Sequence, residues 1–253
     1  MAYNKSMDNK ELGKITKNIE KTVGKDMAGA IAADLGKIVT GFEANQDIIK
    51  SKDEEIAELK DLKEKLELRL GCELINCAIA MPAGTESSAK THQYVAEGAG
   101  FEVINILDEP TAANSIYGIQ DGVVVDIGGG TTGLAIFSSG EVVRIEDEPT
   151  GGTHLTLVLA GNYRIPIHEA ELMKQDYKRH REILPIVKAV IEKMASIINK
   201  YVDKDEIDAI YLCGGTCCLT DIENIIERET GIHTVKPLNP FLVTPAGIAM
   251  NCK

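Results

Sequence analysis

The sequence contains no tryptophan, and aromatic residues make up only 4% of it. Few rings are therefore available to stack bases, the device on which single-strand nucleic-acid binders rely. Positive charge is also short: 27 Lys and Arg stand against 39 Asp and Glu, a net charge of −12. An acidic chain repels phosphate backbones, which excludes a general nucleic-acid binder. No apolar run approaches the ~20 residues that cross a bilayer. The opening Met1-Ala2-Tyr3-Asn4-Lys5-Ser6 lacks the apolar core of a signal peptide. The expectation is a cytoplasmic protein with no membrane and no nucleic acid among its partners. The six cysteines, with Cys217 and Cys218 adjacent, have no disulfide-framework spacing and read as free thiols in a reducing compartment.

Proline is missing before Pro82, and only six of the 23 glycines precede that point. This asymmetry separates a helical front from a mixed α/β remainder. Residues 1–70 carry 13 basic and 14 acidic side chains, the remainder 14 and 25, so the acidity belongs to the α/β part. Helical spacing predicts helices over 8–25, 27–49 and 51–70. The last has Ile56, Leu59, Leu62, Leu66 and Leu70 on one stripe, which suits packing on a sheet or on a partner helix. After Gly71, apolar runs at 74–80, 101–107, 122–126, 133–137, 142–146 and 210–213 alternate with helical stretches at 88–98, after Glu109-Pro110, at 151–160, 168–201 and 219–230. Strands alternating with helices predict an α/β sheet.

Three segments carry chemistry. In the first, the apolar run Val123-Val124-Val125 ends in Asp126, Gly128-Gly129-Gly130 turn the chain, and Thr131-Thr132 open a second strand. Glycines let backbone N–H groups face an anion without Cβ interference, Thr hydroxyls add donors, and Asp126 could hold Mg2+ through waters. A ligand-free glycine hairpin would look similar. A Walker loop is excluded because its lysine is missing. The second segment, Asp108-Glu109-Pro110-Thr111-Ala112-Ala113, suits a helix start, with acids near the positive helix end. The third, Tyr211-Leu212-Cys213-Gly214-Gly215-Thr216, is a strand running into a turn that a flat ring or ribose could approach. Cys213, Cys217 and Cys218 read as small buried residues at that turn, the histidines as scattered, and Lys174, Lys178, Arg179 and Arg181 as a solvated helix face.

In this order the three segments resemble the actin/Hsp70/sugar-kinase superfamily. Within it, Leu107–Thr111, Val125–Ala135, Thr150–Asn162, Lys193-Met194-Ala195 and Phe241–Ala249 are similar to the ethanolamine-utilisation family EutJ, over about residues 56–253. The resemblance implies a phosphate hairpin at Asp126, Gly128, Gly129, Gly130, Thr131 and Thr132, with Asp126 as the metal residue. It further implies that Glu109 and Asp126 act as catalytic residues, that Gly151 and Gly152 approach phosphate or ribose, and that Gly214, Gly215 and Thr216 take the adenosine. ATP or ADP with Mg2+ are the implied cofactors.

The fold expected is therefore an α/β, actin/Hsp70-like ATPase fold. The superfamily's opening hairpin, Asp-x-Gly-Thr, has only Asp34-Leu35-Gly36-Lys37 as a counterpart, in helical surroundings. A truncated or replaced first lobe is expected, with a helical segment at 1–52, a partial first lobe at 53–121 and the second lobe at 122–253. The implied function is an ATP-binding, chaperone-like or reactivating accessory of ethanolamine utilisation in a bacterial microcompartment, hydrolysing ATP weakly at most. Its partners would be protein clients among the pathway enzymes, with self-association through the helical front. A non-enzymatic scaffold with a relic nucleotide site is the alternative. A small-molecule kinase fits less well, since the chain has no room for substrate-housing insertions.

Overall fold

The structure, a computed structural model, describes residues 51–82, 88–205 and 207–252. The helices expected at 8–25 and 27–49, and Asp34, lie outside the described residues. The chain divides into two compact units, one up to Cys72 and one from Glu73. Of the first unit the described part is helix α1, residues 51–70. It stops at Gly71, whose φ of +70° is the left-handed helix end that glycine adopts without a Cβ penalty. Lys52–Glu55 and Lys65–Asp61 pairs lie along its surface at helical spacing.

The second unit opens with β1 (Asn76–Met81), α2 (Ala89–Gly98) and β2 (Glu102–Asp108), the two strands pairing in parallel. Helix α3 (Glu109–Tyr117) follows directly. Its first turn is built as the sequence predicts. Asp108 accepts the Thr111 N–H at 2.9 Å, Pro110 occupies a position that needs no donor, and Gly118 at φ +64° ends it.

A five-stranded sheet then forms from β3 (Gly122–Ile127), β4 (Thr132–Ser138), β5 (Glu141–Glu148), β6 (Ala209–Cys213) and β7 (His233–Val235), in the order β5-β4-β3-β6-β7. β3, β4 and β5 are an antiparallel meander, and β6 and β7 run parallel to β3. Every residue of β3 is buried, the signature of a strand covered on both faces. Strand alternation divides the core. Val123, Val125, Ile127, Leu134, Ile210 and Leu212 face one side, under α4 (Gly152–Tyr163), α6 (His180–Tyr201) and α7 (Ile222–Thr230). Val124, Ala135, Phe137 and Cys213 face the other, under α3 and α8 (Val243–Met250). Asp126 thus belongs to the α3–α8 side, at the end of the central strand. In α6, Ile183, Val187, Ile191, Met194 and Ile198 recur every three or four residues and are fully buried.

The single helical region expected over 168–201 is two helices. α5 (Ile167–Gln175) stops where Asp176 leaves helical geometry and accepts the Lys178 N–H; a short turn, Tyr177–Arg179, precedes α6. The helix expected from Leu219 starts at Ile222, because Gly215–Cys218 already form a tight 3-10 turn. Strand β7 and helix α8 had no counterpart in the predicted elements. β7 has only three residues. α8 contains Pro245 and Gly247, both poor helix formers, and exists through packing. An added Cβ at Gly247 would lie 1.9 Å from the Ala112 carbonyl oxygen, so α3 and α8 touch backbone to backbone.

Candidate functional site

The glycine segments meet at the tip of the β3–β4 hairpin. Gly128 N–H closes the turn on the Thr131 carbonyl at 3.1 Å. The start of α4 docks onto this turn: Gly152 N–H donates to Gly128 O at 2.9 Å and Thr153 N–H to Gly129 O at 2.8 Å. An added Cβ at Gly151 would come within 2.7 Å of Gly129 O, Gly130 C and Thr131 N, so this approach requires glycine. From the third segment, the Thr216 hydroxyl donates to Gly128 O at 2.7 Å. Gly214, at φ +91°, has room for nothing larger than hydrogen, since a Cβ would sit 2.3 Å from Asp126 Oδ1. Segments far apart in sequence, 128–130, 151–152 and 214–216, thus form one backbone cradle.

Their roles separate once the bonds are followed. The N–H groups of Gly151, Gly152 and Thr153 are engaged by His154 Nδ1, Gly128 O and Gly129 O. Gly151 and Gly152 therefore serve by letting a helix start sit against the hairpin. Thr132 is fully buried and its hydroxyl donates to Thr150 O at 2.6 Å, which ties β4 to the segment before α4. The N–H groups of Gly129, Gly130 and Thr131 make no hydrogen bond among the described residues. They are the donors left for an anion.

On the α3–α8 side, Asp126 is almost completely buried and accepts a hydrogen bond from the Thr244 hydroxyl. Burial raises its pKa, and the Thr244 bond opposes the rise. Glu109, in the first turn of α3, is half-buried, and its pKa is pushed up to about 7 by desolvation and by the charges of Asp126, Asp147 and Asp108. Burial likewise raises Asp147, against a hydrogen bond from Thr131. Asp147 Oδ1 and Thr111 Oγ1 are buried without a protein partner. Such atoms ask for a partner from solvent or ligand. Among the described residues, no three His, Cys, Asp or Glu side chains are placed to hold a metal by themselves. Mg2+ typically takes only one or two carboxylates and completes its shell with phosphate and water, which suits Asp126 in this setting.

Beside the cradle lies a cavity of about 510 Å³, bordered by Gly129, Gly215 and Thr216 of the predicted set. Further side chains on it include Glu171, Lys174, His180, Cys218 and Phe241, to none of which the sequence reading gave a place in a site. Lys174 corrects the expectation of a solvated helix face. Its ammonium is largely buried and donates to Gly152 O at 3.1 Å and the Thr156 hydroxyl at 2.9 Å, with Glu171 at 2.8 Å. Its partners lie some twenty residues upstream, so only the spacing Glu171-x-x-Lys174 hinted at a pair. His180 is buried; its Nδ1 accepts the Thr220 N–H at 3.0 Å and its Nε2 faces the Lys174 carbonyl at 3.0 Å. That fixes the neutral Nε2–H tautomer and joins α5 to the turn before α7. Cys213 and Cys217 are buried as expected, whereas Cys218 is exposed.

The sequence signature of the family described as "Type IV pilus assembly protein PilM" matches residues 93–248, and that of "Hsp70 protein" matches residues 10–153. The crystal structure of ethanolamine utilization protein EutJ from Carboxydothermus hydrogenoformans superimposes with a TM-score of 0.72 at 47% identity, covering 79% of this chain and 74% of that one. The chain belongs to the EutJ family. Salmonella typhimurium EutJ is 41% identical over 191 residues, 74% of this chain and 66% of that protein. The chain thus spans about two thirds of that EutJ relative. More distantly, chaperone protein dnaK1 of a Nostoc species is 31% identical over 57% of this chain and 21% of that chaperone. The mixed α/β, Hsp70/actin-like fold expected from the sequence is the fold of the EutJ family.

Proposed function

We propose that this EutJ family member binds ATP or ADP with Mg2+ at the β3–β4 hairpin and acts as a chaperone-like accessory to the enzymes of ethanolamine utilisation. The observation that carries the reading is the convergence of three glycine segments on a cradle with free N–H donors beside a cavity of about 510 Å³. The Gly129, Gly130 and Thr131 N–H groups would face the phosphates, as such backbone concavities do. Gly215 and Thr216 would border the nucleoside, and the Glu171 carboxylate, held by Lys174, would accept from hydroxyls of the sugar. Asp126 would hold Mg2+, which offsets phosphate charge when bound. Glu109, with its pKa near neutrality, is poised to accept a proton from a water it orients.

The client role rests on the EutJ names and on likeness to an Hsp70-type chaperone, and function follows the site rather than the fold. The reading includes a cytoplasmic, microcompartment-associated protein, pathway enzymes as clients, and self-association through the helical front. Hydrolysis would be slow at most, since phosphoryl transfer needs groups fixed around the γ-phosphate from two sides, and Asp34 is the sole candidate for a second hairpin.

Isothermal titration with MgATP and MgADP, with a hydrolysis assay on the same sample, tests the proposal. Micromolar binding that Asp126→Ala reduces at least ten-fold is the expected result. No binding at millimolar nucleotide would leave the scaffold reading. Binding indifferent to Asp126→Ala would remove the metal and phosphate roles.

A further inference from the structure

Phe241 is 60% exposed, although it is one of only four phenylalanines in the chain. It is not on a loose tail. Pro240 is buried, and its carbonyl accepts the Gly214 N–H at 3.1 Å, which pins the Pro240–Leu242 turn to the cradle. The ring lies against Gly215, with Cδ2 3.4 Å from where a Cβ would be, and it borders the cavity next to the hairpin. A large apolar ring held in place, left uncovered and turned to a cavity is a surface short of a flat partner.

The polar groups around the same cavity are mostly engaged elsewhere. Both ring nitrogens of His180 are taken, by Thr220 and by the Lys174 carbonyl. The Thr216 hydroxyl donates to Gly128 O. Glu171 and Lys174 are paired with each other and with Thr156 and Gly152, so the exposed Gln175 amide and Cys218 thiol are the side chains left to meet the edge of a ring, whereas Phe241 offers a broad face. Recognition by face is sequence-tolerant, because every base has a π-face, and it favours larger rings.

Resting on the nucleotide reading above, we infer that Phe241 forms the stacking wall of this cavity and that its ligand class is a purine nucleoside diphosphate or triphosphate held chiefly by the face of its base. Adenine and guanine nucleotides should bind with similar affinity, and pyrimidine nucleotides more weakly.

The chain's lack of tryptophan supplies the test. Phe241→Trp installs a single indole whose fluorescence reports on its own stacking. Titration with MgADP or MgGDP should quench it, while magnesium tripolyphosphate, which has no base, should not. In calorimetry, Phe241→Ala should weaken MgADP roughly ten-fold, within the range set by loss of one base–aromatic stack. Tripolyphosphate affinity should stay unchanged, a separation that a merely misfolded variant would not produce. If the unchanged chain binds MgADP, but Phe241→Ala binds it equally and Phe241→Trp shows no quenching, the stacking inference is overturned and the nucleotide reading stands. If the unchanged chain binds no MgADP at millimolar concentration, the reading itself fails and takes this inference with it. A strong preference for MgADP over MgGDP would overturn the claim of recognition by face alone.

Discussion

Burial and the nearby carboxylates of Asp126, Asp147 and Asp108 hold the Glu109 carboxyl at about 7, above its ordinary 4.5. A carboxyl whose pKa is raised on folding binds its proton more tightly in the native state than in the unfolded one. Stability attributable to Glu109 is therefore greatest below about 4.5 and is lost as pH rises toward 7, beyond which the loss is complete. Glu109→Gln cannot ionise. Thermal denaturation followed between pH 4.5 and 7.5 should show a shallower fall in Tm for that variant than for the unchanged chain. Identical slopes would mean that the carboxylate is well solvated in solution. At the same scale, Lys174 shows how a residue escapes sequence reading. Four basic side chains close together look like a wet helix face. What draws Lys174 inward is a pair of acceptors at Gly152 and Thr156, and no local pattern announces them.

At the scale of elements, α3 and α8 stand out because they touch without intervening side chains. Gly247→Ala would place a methyl carbon 1.9 Å from the Ala112 carbonyl, and both helices are committed at nearby positions, through Thr244 on Asp126 and Asn251 on Ser115. The methyl has no way to fit without moving a helix. Overpacking of this kind typically costs about 1–3 kcal/mol. Denaturant unfolding should detect that loss, and MgADP affinity should fall with it, because α8 carries Thr244, whose hydroxyl holds Asp126. Unchanged stability would show that the two helices part easily. This pair also marks where the sequence stopped being readable. The β3–β4 hairpin was legible because an apolar run, an aspartate and three glycines are contiguous, so local rules suffice. The α3 start was legible from Asp108 and Pro110 for the same reason. Helix α8 was not, since its proline and glycine argue against a helix and only Ala112, Val124 and Asp126, more than a hundred residues away, give it a place. The cavity was half legible: its glycine border could be read, while Glu171, His180 and Phe241 arrive from three separate elements.

At the scale of the whole molecule, charge is uneven along the chain. The net −12 is concentrated after residue 70, while the front is nearly balanced. A balanced, Lys- and Glu-rich sequence suits self-association better than an acidic surface that repels its copies. If the front drives oligomers, sedimentation equilibrium should give a mass above 27.4 kDa for the full chain, falling to the monomer value when the protein begins at Ser51. Equal association states for both would assign the front another role.

The Thr244–Asp126 hydrogen bond joins residues 118 positions apart. During synthesis, the hairpin would leave the ribosome long before the segment that completes its surroundings. Until Pro240 has met Gly214 and Thr244 has met Asp126, a nascent chain holds a buried carboxylate without its hydroxyl and a cavity without its aromatic wall. Completion of this end of the sheet is thus deferred until residues 240–244 have been made, and a product ending before Pro240 would lack both the hydroxyl on Asp126 and the ring of Phe241.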